Sequence, residues 1–242
     1  MLIYGFHPVR EALRHRPHEI ERVLVSRRGT RRRQEIERLC RRHQVPCEPL
    51  SERELSRRTG GVHNGFAAEL SRVGGETRPT ADPELLVLLE DVQDPRNLGA
   101  LLRVFEGAGV AKVLLRDRGS APVSPAVVRT SAGAVEWLEI ERVTNAAHEI
   151  ERLKREGFWV YGADARGVPP WRLDLTGKLL LCFGGEAKGL RPRTRQLCDQ
   201  LIGLPMRGRI ASLNVSAAAA AVVYEAVRQR ADRVLQAGPE SR

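Results

Sequence analysis

The sequence lacks long apolar runs, and this absence bears on where the protein works. No stretch of about 18 consecutive apolar residues occurs, so we expect no membrane-spanning helix and no membrane partner. The N-terminus, MLIYGFHPVREAL, also lacks the basic region and the long apolar stretch that mark a secretory signal. A cytoplasmic protein is therefore expected. Its 242 residues suffice for one large domain or two modest ones with a sizeable core.

Cysteine and histidine are few and are not spaced as metal ligands. The four cysteines include no CxxC pair and have no companion histidine at ligand spacing, and no HExxH motif occurs. We therefore expect free thiols and no bound metal ion. The phosphate-binding motif GxxxxGK[ST] and the dinucleotide-binding motif GxGxxG are absent as well, so neither a P-loop nor a dinucleotide site is indicated.

Lysine is scarce, whereas arginine is abundant. Only four of the 40 basic residues are lysine, and the net charge of +10 favours an anionic partner such as nucleic acid. The excess is uneven, because residues 1–72 carry a net charge of +7 and the remainder only +3. Arginine offers bidentate contacts to phosphate. The expected surface for nucleic acid, for which a solvated helix face is the alternative, consists of Arg27, Arg28, Arg31, Arg32, Arg33, Arg41 and Arg42.

The segment SRVGGETRPTADPE, residues 71–84, separates two regions of different composition. Its paired glycines, two prolines and polar residues are typical of a linker. We expect a small α/β domain at 1–71, a linker at 72–83 and a larger domain at 84–242. In the first domain the patterns predict helices at 5–14 and 31–44, strands at 22–26 and 65–70, and a further helix that begins with a capping box at Ser51 and Glu54.

Short, almost continuously apolar strands alternate with helices in the larger region. This pattern is typical of a parallel sheet with helices on both faces. Ligands of such sheets bind beyond the carboxyl ends of the strands, so the turns that follow the strands are the expected place for chemistry. The predicted strands are 84–90, 112–116, 157–164, 178–184 and 200–205. The predicted helices cover about 97–108, 124–132, 145–156 and 213–234.

Two polar turns after these strands contain candidate functional residues. In DVQDPRNLGALLR, Asn97 stands where a helix begins, and Arg103 follows on an otherwise apolar helical face. A helix cap and a charge at the edge of the core are the alternatives for these two residues. In CFGGEAKGL, Gly184 and Gly185 let a ligand approach the backbone closely, or simply form a tight turn. Glu186 requires a partner, for which we expect a cationic side chain.

A third polar turn, ASLNVS, precedes an alanine-rich helix. Ser212, Asn214 and Ser216 alternate there with Leu213 and Val215. Serine and asparagine compete with helix hydrogen bonds and therefore favour caps, but one polar residue would suffice to cap the helix. An overbuilt helix cap is the simplest interpretation of this turn.

The three turns together carry a family resemblance. DPRNLGALLR, FGGEAKGL and LPMRGRIASLNVSAAAAAVVYE resemble, in this order, the three motifs of the SpoU-type (TrmH-like) branch of the SPOUT RNA ribose 2′-O-methyltransferases, over roughly residues 84–230. YGFHPVREAL and VHNGFAAEL resemble the L30e-type substrate-binding domain that precedes this catalytic domain. The arrangement is most similar to bacterial 23S rRNA guanosine-2′-O-methyltransferases. Asn64 departs from the pattern, since glutamine is expected at this position.

The resemblance implies a fold, a reaction and partners. It implies an α/β parallel-sheet SPOUT domain with a trefoil knot, preceded by a small L30e-like α/β domain, in a homodimer that binds RNA. The implied enzyme transfers a methyl group from S-adenosylmethionine to the ribose 2′-hydroxyl of a nucleotide, expected to be guanosine, in 23S rRNA. The implied cofactor-binding residues are Ala163, Gly184, Gly185, Leu204, Met206 and Leu213. The implied catalytic residues are Asn97, Arg103, Glu186, Ser212 and Asn214.

Arg103 could act as a base or as a cation that stabilises negative charge. In the family, the matching arginine is proposed to accept the proton of the 2′-hydroxyl, and none of the three turns contains a histidine that could do so instead. A guanidinium stays protonated throughout the physiological pH range, so stabilisation of a developing alkoxide is the physically easier role. In the third turn, Ser212 and Asn214 would face the reacting groups and Leu213 the cofactor, and Ser216 would cap the helix.

Three other functions would account for parts of the sequence. A tRNA ribose 2′-O-methyltransferase shares the chemistry, but the extra N-terminal domain argues against it. A non-catalytic RNA-binding factor for ribosome assembly could retain the fold, although the intact catalytic positions argue against a loss of enzymatic activity. A small-molecule α/β enzyme would not explain the uneven positive charge.

Overall fold

The computed structural model describes residues 2–28, 30–60, 63–70, 82–186 and 188–236. Residues 2–70 and Pro122–Trp137 form one compact unit, and residues 82–121 form a second with the chain from Leu138 onward. The return of residues 122–137 to the first unit differs from the single boundary expected from the sequence. The expected linker lies outside the described residues except for its last two positions, where a strand has already begun at Asp82.

The strands form two sheets. Those of the first unit are β1 (Leu2–Tyr4), β2 (Ile20–Ser26), β3 (Cys47–Leu50) and β4 (Phe66–Leu70), in the order β1-β4-β2-β3. Within this sheet, β2 and β3 run parallel, and β4 is antiparallel to both of its neighbours. Those of the second unit are β5 (Asp82–Leu89), β6 (Val110–Arg116), β7 (Glu139–Val143), β8 (Trp159–Val168), β9 (Leu179–Phe183) and β10 (Gln200–Ile202).

The helices begin mostly at polar residues or prolines. They are α1 (Phe6–His15), α2 (Arg31–His43), α3 (Glu52–Thr59), α4 (Pro95–Gly107), α5 (Pro125–Thr130), α6 (Ala146–Arg155), α7 (Pro192–Leu197) and α8 (Val215–Gln236). The Ser51 hydroxyl caps α3 by accepting from the Glu54 N–H at 3.2 Å. The Glu54 side chain pairs with Arg57 at 2.7 Å, so only one bond of the expected capping box is seen.

The predicted parallel sheet of the second unit is confirmed. Its strand order is β10-β8-β9-β5-β6-β7, and all neighbours run parallel. Leu88 of β5 and Ile150 of α6 belong to one buried cluster, which covers one face. On the other face Phe105 of α4 stacks on Phe183 of β9, with ring centroids 6.0 Å apart. Successive residues of a strand point to opposite faces, so central strands between two helical layers are apolar throughout.

The sequence patterns missed β7 and α7 in this unit. The sequence of β7, EIERV, is mostly polar because the strand forms one edge of the sheet, and only Val143 is fully buried in it. Continuous apolar character, the signal that predicts central strands, is therefore absent at this edge. The helix α7 has six residues, PRTRQL, which are too few for a helical period to be recognised.

The segment 122–137 is held in the first unit by polar contacts that are almost fully buried. The Arg16 and Glu136 side chains form an ion pair, with 2% and 0% of their surfaces exposed, and one Arg16 guanidinium N–H donates to Glu136 Oε1 at 2.7 Å. The Trp137 indole donates to Glu11 Oε2 at 3.2 Å, and its ring lies 4.3 Å from that of His15. Burying the two charges as an ion pair costs less free energy than burying either charge alone.

Three expectations about composition can be compared with the described part of the chain. The cysteines are free thiols, as predicted, and Cys40 and Cys182 are buried. Among the described helices, none has both the length and the apolar character needed to cross a membrane. Over the same residues, no group of three or more His, Cys, Asp or Glu side chains is placed to hold a metal ion.

Candidate functional site

A cavity opens at the carboxyl end of the six-stranded sheet, where parallel sheets commonly bind ligands. Its volume is about 440 Å³, which lies within the range of small-molecule pockets. Residues 163–165 of β8, 183–186 after β9, 202–204 after β10 and 211–215 before and at the start of α8 form its wall, and one face of α8 completes it. Apart from the stretch within β8, each wall segment lies at the end of a strand or at the start of a helix, where main-chain polar groups are free to bind a ligand.

The glycines after β9 are required by the packing of the backbone around the cavity. A Cβ atom on Gly184 would overlap the backbone of Gly189, and one on Gly185 would overlap the carbonyl of Asp91. The Gly189 N–H donates to the Gly185 carbonyl at 2.8 Å and closes a tight turn. The two expectations for Gly184 and Gly185 therefore both apply: the glycines form a tight turn, and they leave main chain without side chains in the cavity wall.

All six residues that the resemblance assigns to the cofactor line this cavity: Ala163, Gly184, Gly185, Leu204, Met206 and Leu213. Leu204, Met206 and Leu213 supply apolar side chains, and the glycine turn supplies main-chain donors and acceptors. Sequence reasoning missed Ala218 and Val222, which line the cavity from α8. Their spacing of four residues places them on one helical face, and this period is the signal that could have found them.

A chain of hydrogen bonds joins the three polar turns at the rim of the cavity. The Asn97 amide donates to Glu186 Oε1, and the Asn214 amide donates to Asn97 Oδ1 at 3.1 Å. Asn214 Oδ1 accepts from the Ser216 N–H at 2.9 Å and from the Ser216 hydroxyl at 2.7 Å. Ser216 donates to Asn214, Asn214 to Asn97 and Asn97 to Glu186, so this series of hydrogen bonds ends at the Glu186 carboxylate. The partner of Glu186 is thus an amide and not the cation that we expected.

The same bonds change the interpretation of two helix starts. Asn214, immediately before α8, accepts from the N–H two residues later, so Asn214 and not Ser216 is the cap, and the expectation for Ser216 was wrong. Asp94 caps α4 by accepting from the Arg96 N–H at 2.8 Å. Asn97 therefore lies in the first turn of α4 with its side chain free to bridge the other two turns.

The structure brings together four of the five expected catalytic side chains. Ser212 lines the cavity beside Asn214 and Glu186, and Asn97 contacts both of these at the rim. Arg103 lies elsewhere on α4, exposed to solvent, and it is not among the described residues that line the cavity. It is also not buried at the edge of the core, because Leu98, Leu101, Leu102 and Phe105 occupy the buried face of this helix.

A buried carboxylate that sequence reasoning missed supports the cavity wall. Glu90, at the end of β5, accepts from the Thr194 hydroxyl at 2.8 Å and from the Arg191 N–H at 3.3 Å. Burial raises the pKa of Glu90, and these two hydrogen bonds oppose the shift. Next to it, Asp91 pairs with the Arg191 guanidinium at 2.8 Å. A charged residue that ends an apolar strand, as in ELLVLLE, is the signal that could have indicated this role.

Most of the seven arginines expected to bind nucleic acid are exposed in the first unit. The exception is Arg33, which is partly buried, pairs with Glu37 at 2.7 Å and donates to the Ser26 carbonyl at 3.0 Å. The Arg32 guanidinium lies over the Phe6 ring, 5.0 Å from its centroid. Arg27 and Arg28 precede α2 and Arg41 lies in its last turn, so the seven side chains extend from before this helix of 13 residues to its C-terminal end.

Family models match both parts of the chain. The model of the SpoU rRNA Methylase family matches residues 84–224, and a model described as RNA 2′-O ribose methyltransferase substrate binding matches residues 2–73. The chain is 38% identical to the 23S rRNA (guanosine-2′-O-)-methyltransferase RlmB of Pseudomonas putida, over 94% of this chain and 96% of that protein. It is 36% identical to the RlmB of Xanthomonas axonopodis, with the same coverage of both chains.

Solved structures of similar proteins share the fold. The SpoU methyltransferase AviRb from Streptomyces viridochromogenes, in complex with AdoMet, superposes with a TM-score of 0.79 at 25% identity, over 96% of this chain and 91% of that chain. A structure described as an RNA 2′-O ribose methyltransferase superposes with a TM-score of 0.79 at 27% identity, over 95% and 88% of the two chains. Both superpositions extend over nearly the full length of this chain.

Proposed function

Because the chain belongs to the SpoU rRNA methylase family, we propose that it transfers a methyl group from S-adenosylmethionine to the ribose 2′-hydroxyl of a guanosine in 23S rRNA, in the cytoplasm. The observation that carries this proposal is the cavity at the end of the sheet, whose rim holds the connected side chains of Asn97, Asn214 and Glu186. The acceptor is inferred from the names of the RlmB relatives, and the cofactor from the AdoMet complex of AviRb.

The residues around the cavity fit S-adenosylmethionine. Leu204, Met206 and Leu213 provide an apolar environment for an adenine ring, and the bare main chain at Gly184 and Gly185 can recognise its polar edge. A volume of about 440 Å³ is adequate for a ligand of this size. When bound, the cofactor supplies a methyl group on a sulfonium centre, which is open to attack by an oxygen nucleophile.

The protein side chains would mainly align the acceptor hydroxyl and stabilise its negative charge. Alignment of reacting groups can contribute roughly 7–11 kcal/mol in favourable cases. The bonds from Asn214 to Asn97 and from Asn97 to Glu186 fix the rim, so that the Ser212 hydroxyl and the Glu186 carboxylate are held ready to orient a ribose. Arg103 would stabilise the developing alkoxide without acting as a literal base, and the hydroxyl proton would be released to solvent as the new C–O bond forms.

The position of Arg103 supports a homodimer in which each subunit completes the site of the other. Arg103 is exposed on α4 and does not line the cavity of its own chain among the described residues. Tyr224 of α8, 49% exposed, packs so closely on Gly107 that a Cβ atom there would lie 3.1 Å from the phenol oxygen. The packed helices α4 and α8 therefore expose an arginine and an aromatic side chain, two residue types that are enriched in protein–protein interfaces.

Mixing two inactive subunits tests this arrangement. An Arg103→Ala chain and an Asn97→Ala chain, unfolded together and refolded, would form one intact site per heterodimer if Arg103 acts across the interface. The mixture would then regain about one quarter of wild-type methyl transfer, since half of the dimers carry one intact site of two. A mixture as inactive as its components, with normal dimer content by sedimentation, would place Arg103 within its own site or exclude the role.

We further assign RNA capture to the first unit and catalysis to the second. The exposed arginines beside and along α2 support the first assignment, and a steep fall of RNA affinity with salt is expected from their phosphate contacts. The proposal includes the trefoil knot that the resemblance implies, and the similarity of the whole fold to the SpoU methyltransferase AviRb supports it.

Methyl transfer onto defined RNAs tests the function directly. The protein with S-adenosyl-[methyl-³H]methionine should label 23S rRNA from a strain that lacks this protein, and mapping should place one new 2′-O-methylguanosine. Prior methylation in the parent strain should block labelling. Labelling of tRNA in place of rRNA would favour the tRNA enzyme, and cofactor binding without any transfer would favour the assembly factor.

A further inference from the structure

A short loop projects from the cavity wall into solvent. Residues 207–210 connect Met206 and Ala211, both of which line the cavity, and all four are exposed. Ile210 is 74% exposed, which is unusual for a large apolar side chain. A Cβ atom on Gly208 would meet no other atom within 4 Å, so the tip of the loop is surrounded by open space. We call residues 207–210 the rim loop.

The two arginines of the rim loop have no acidic partner among the described residues. Arg207 and Arg209 make no ion pair there, whereas nine of the seventeen described arginines of the second unit do. Arg191 pairs with Asp91 at 2.8 Å and Arg228 with Glu225 at 2.8 Å, and others pair in the same way. An unpaired guanidinium keeps all five N–H donors available, in a geometry that matches a phosphate.

Other cations without a described acidic partner lie next to the same cavity. Arg166 follows the lining residue Ala165, and Lys188 lies between the lining residues Glu186 and Gly189. Of the acidic side chains in the cavity lining, Asp164 already pairs with Arg195. The rim is therefore surplus in positive charge, although the second unit as a whole is close to neutral. Such local surplus around a cleft attracts a polyanion.

We propose that Arg207 and Arg209 bind backbone phosphates of the RNA strand on either side of the acceptor nucleotide, with Ile210 packed against a neighbouring base or ribose. This inference rests on the proposed function and adds a second RNA contact, on the catalytic unit itself. The rim loop continues directly into Ser212 and Asn214, so phosphate binding there would hold the acceptor ribose beside the polar side chains of the rim. Phosphate contacts of this kind position a nucleic acid and carry no sequence information.

The test compares two doubly substituted full-length chains of equal charge. Arg207→Gln/Arg209→Gln removes the rim-loop cations. Arg155→Gln/Arg172→Gln removes two exposed arginines that line no part of the cavity and that have no described acidic partner. The assays are methyl transfer onto a 23S rRNA fragment at saturating cofactor, RNA binding between 50 and 200 mM salt, calorimetric cofactor affinity and sedimentation.

For the rim-loop variant we expect the KM for RNA to rise about tenfold or more, and the slope of log affinity against log salt to fall by about 1.4 to 1.8 for two lost contacts. Cofactor affinity and dimer content should match the wild type, and the control variant should change the slope much less. A lowered cofactor affinity would show that the arginines bind the cofactor carboxylate, and an altered dimer content would show a subunit contact. Either result overturns the inference, as does an unchanged salt slope.

The same experiment separates this inference from the proposed function. A wild-type protein that methylates no RNA contradicts the function itself. An active wild type with an equally active rim-loop variant contradicts only the role of the loop. The salt slope provides the discriminating measurement, because a change confined to the conformation of the loop would alter turnover without removing two counterion-releasing contacts.

Discussion

The hydrogen bond between Asn97 and Glu186 allows a sharp test of the rim. Asn97→Asp changes one amide group to a carboxylate oxygen and keeps the shape of the side chain. The retained Oδ1 can still accept from Asn214, which donates to Asn97 at 3.1 Å. The lost NH₂ group is the one that donates to Glu186, so the substitution places two carboxylates face to face. Only one of the two bonds at Asn97 is therefore destroyed.

The expected cost follows from the charges and the exposure of the rim. Two carboxylates about 4 Å apart repel by about 1 kcal/mol in water and by about 4 kcal/mol at an effective dielectric constant of 20. Glu186 is exposed and Asn97 is partly buried, so the real value lies between these limits. With the lost hydrogen bond included, a total of about 2–4 kcal/mol would lower kcat by about 30- to 1,000-fold if the rim is needed in the transition state.

Single-turnover methyl transfer at saturating cofactor and RNA measures this loss. Calorimetry should show unchanged cofactor affinity, because Asn97 does not line the cavity among the described residues. In a Glu186→Gln background the charge repulsion is absent and the amide can donate, so the further change Asn97→Asp should cost about tenfold less there than it does in the wild type. Turnover of Asn97→Asp within about threefold of the wild type would refute the reasoning.

Three further predictions concern stability. Arg16→Met leaves Glu136 buried without its ion-pair partner and should lower the free energy of unfolding of the first unit by about 3–5 kcal/mol in denaturant. The double variant Arg16→Met/Glu136→Leu should recover most of this loss. If the single and the double variant lose the same stability, the pairing does not have this role. The raised pKa of Glu90 contributes stability that is complete below its unfolded pKa and is lost as pH rises through its folded pKa. Glu90→Gln cannot ionise, so its Tm relative to that of the wild type should increase as pH rises above about 4.3, the ordinary pKa of a glutamate side chain. A Tm difference that stays constant with pH would contradict this. Gly185→Ala should lower both Tm and cofactor affinity, because its Cβ atom would overlap the carbonyl of Asp91; normal values for both would show that the turn can relax.

The sheet of the second unit was predictable because its central strands are buried on both faces. Leu180 and Leu181 of β9 point to opposite faces and are both fully buried, so the strand reads as a continuous apolar run. Edge position removes that signal, and β7 was missed for this reason. The polar turns were recognised as sites from their order along the chain. Which side chains meet across them depends on tertiary placement that no local pattern contains.

The candidate site shows the same division between local and tertiary information. Sequence spacing predicts neither the hydrogen bond from Asn214 to Asn97 nor the one from Thr194 to the buried Glu90, because each bond joins residues about one hundred positions apart. The choice of Asn214 over Ser216 as the helix cap depends on a shift of two residues in the start of α8, and sequence patterns define helix ends only within a few residues. The exposed position of Arg103, in contrast, follows from helix geometry, because a period of 3.6 residues places it on the side of α4 away from the buried Leu98 and Leu102.

The return of residues 122–137 to the first unit has a consequence for the modular character of this protein. The chain passes between the two units at the linker, again near Ala121 and once more near Leu138. A truncated chain that starts at residue 82 would keep this segment without its packing partners. Glu136 would lose Arg16, and the apolar side chains of Val127, Val128 and Val135, buried in the intact chain, would lose part of their cover. The catalytic half should therefore be poorly soluble by itself, and recombination at the linker alone should not yield interchangeable parts.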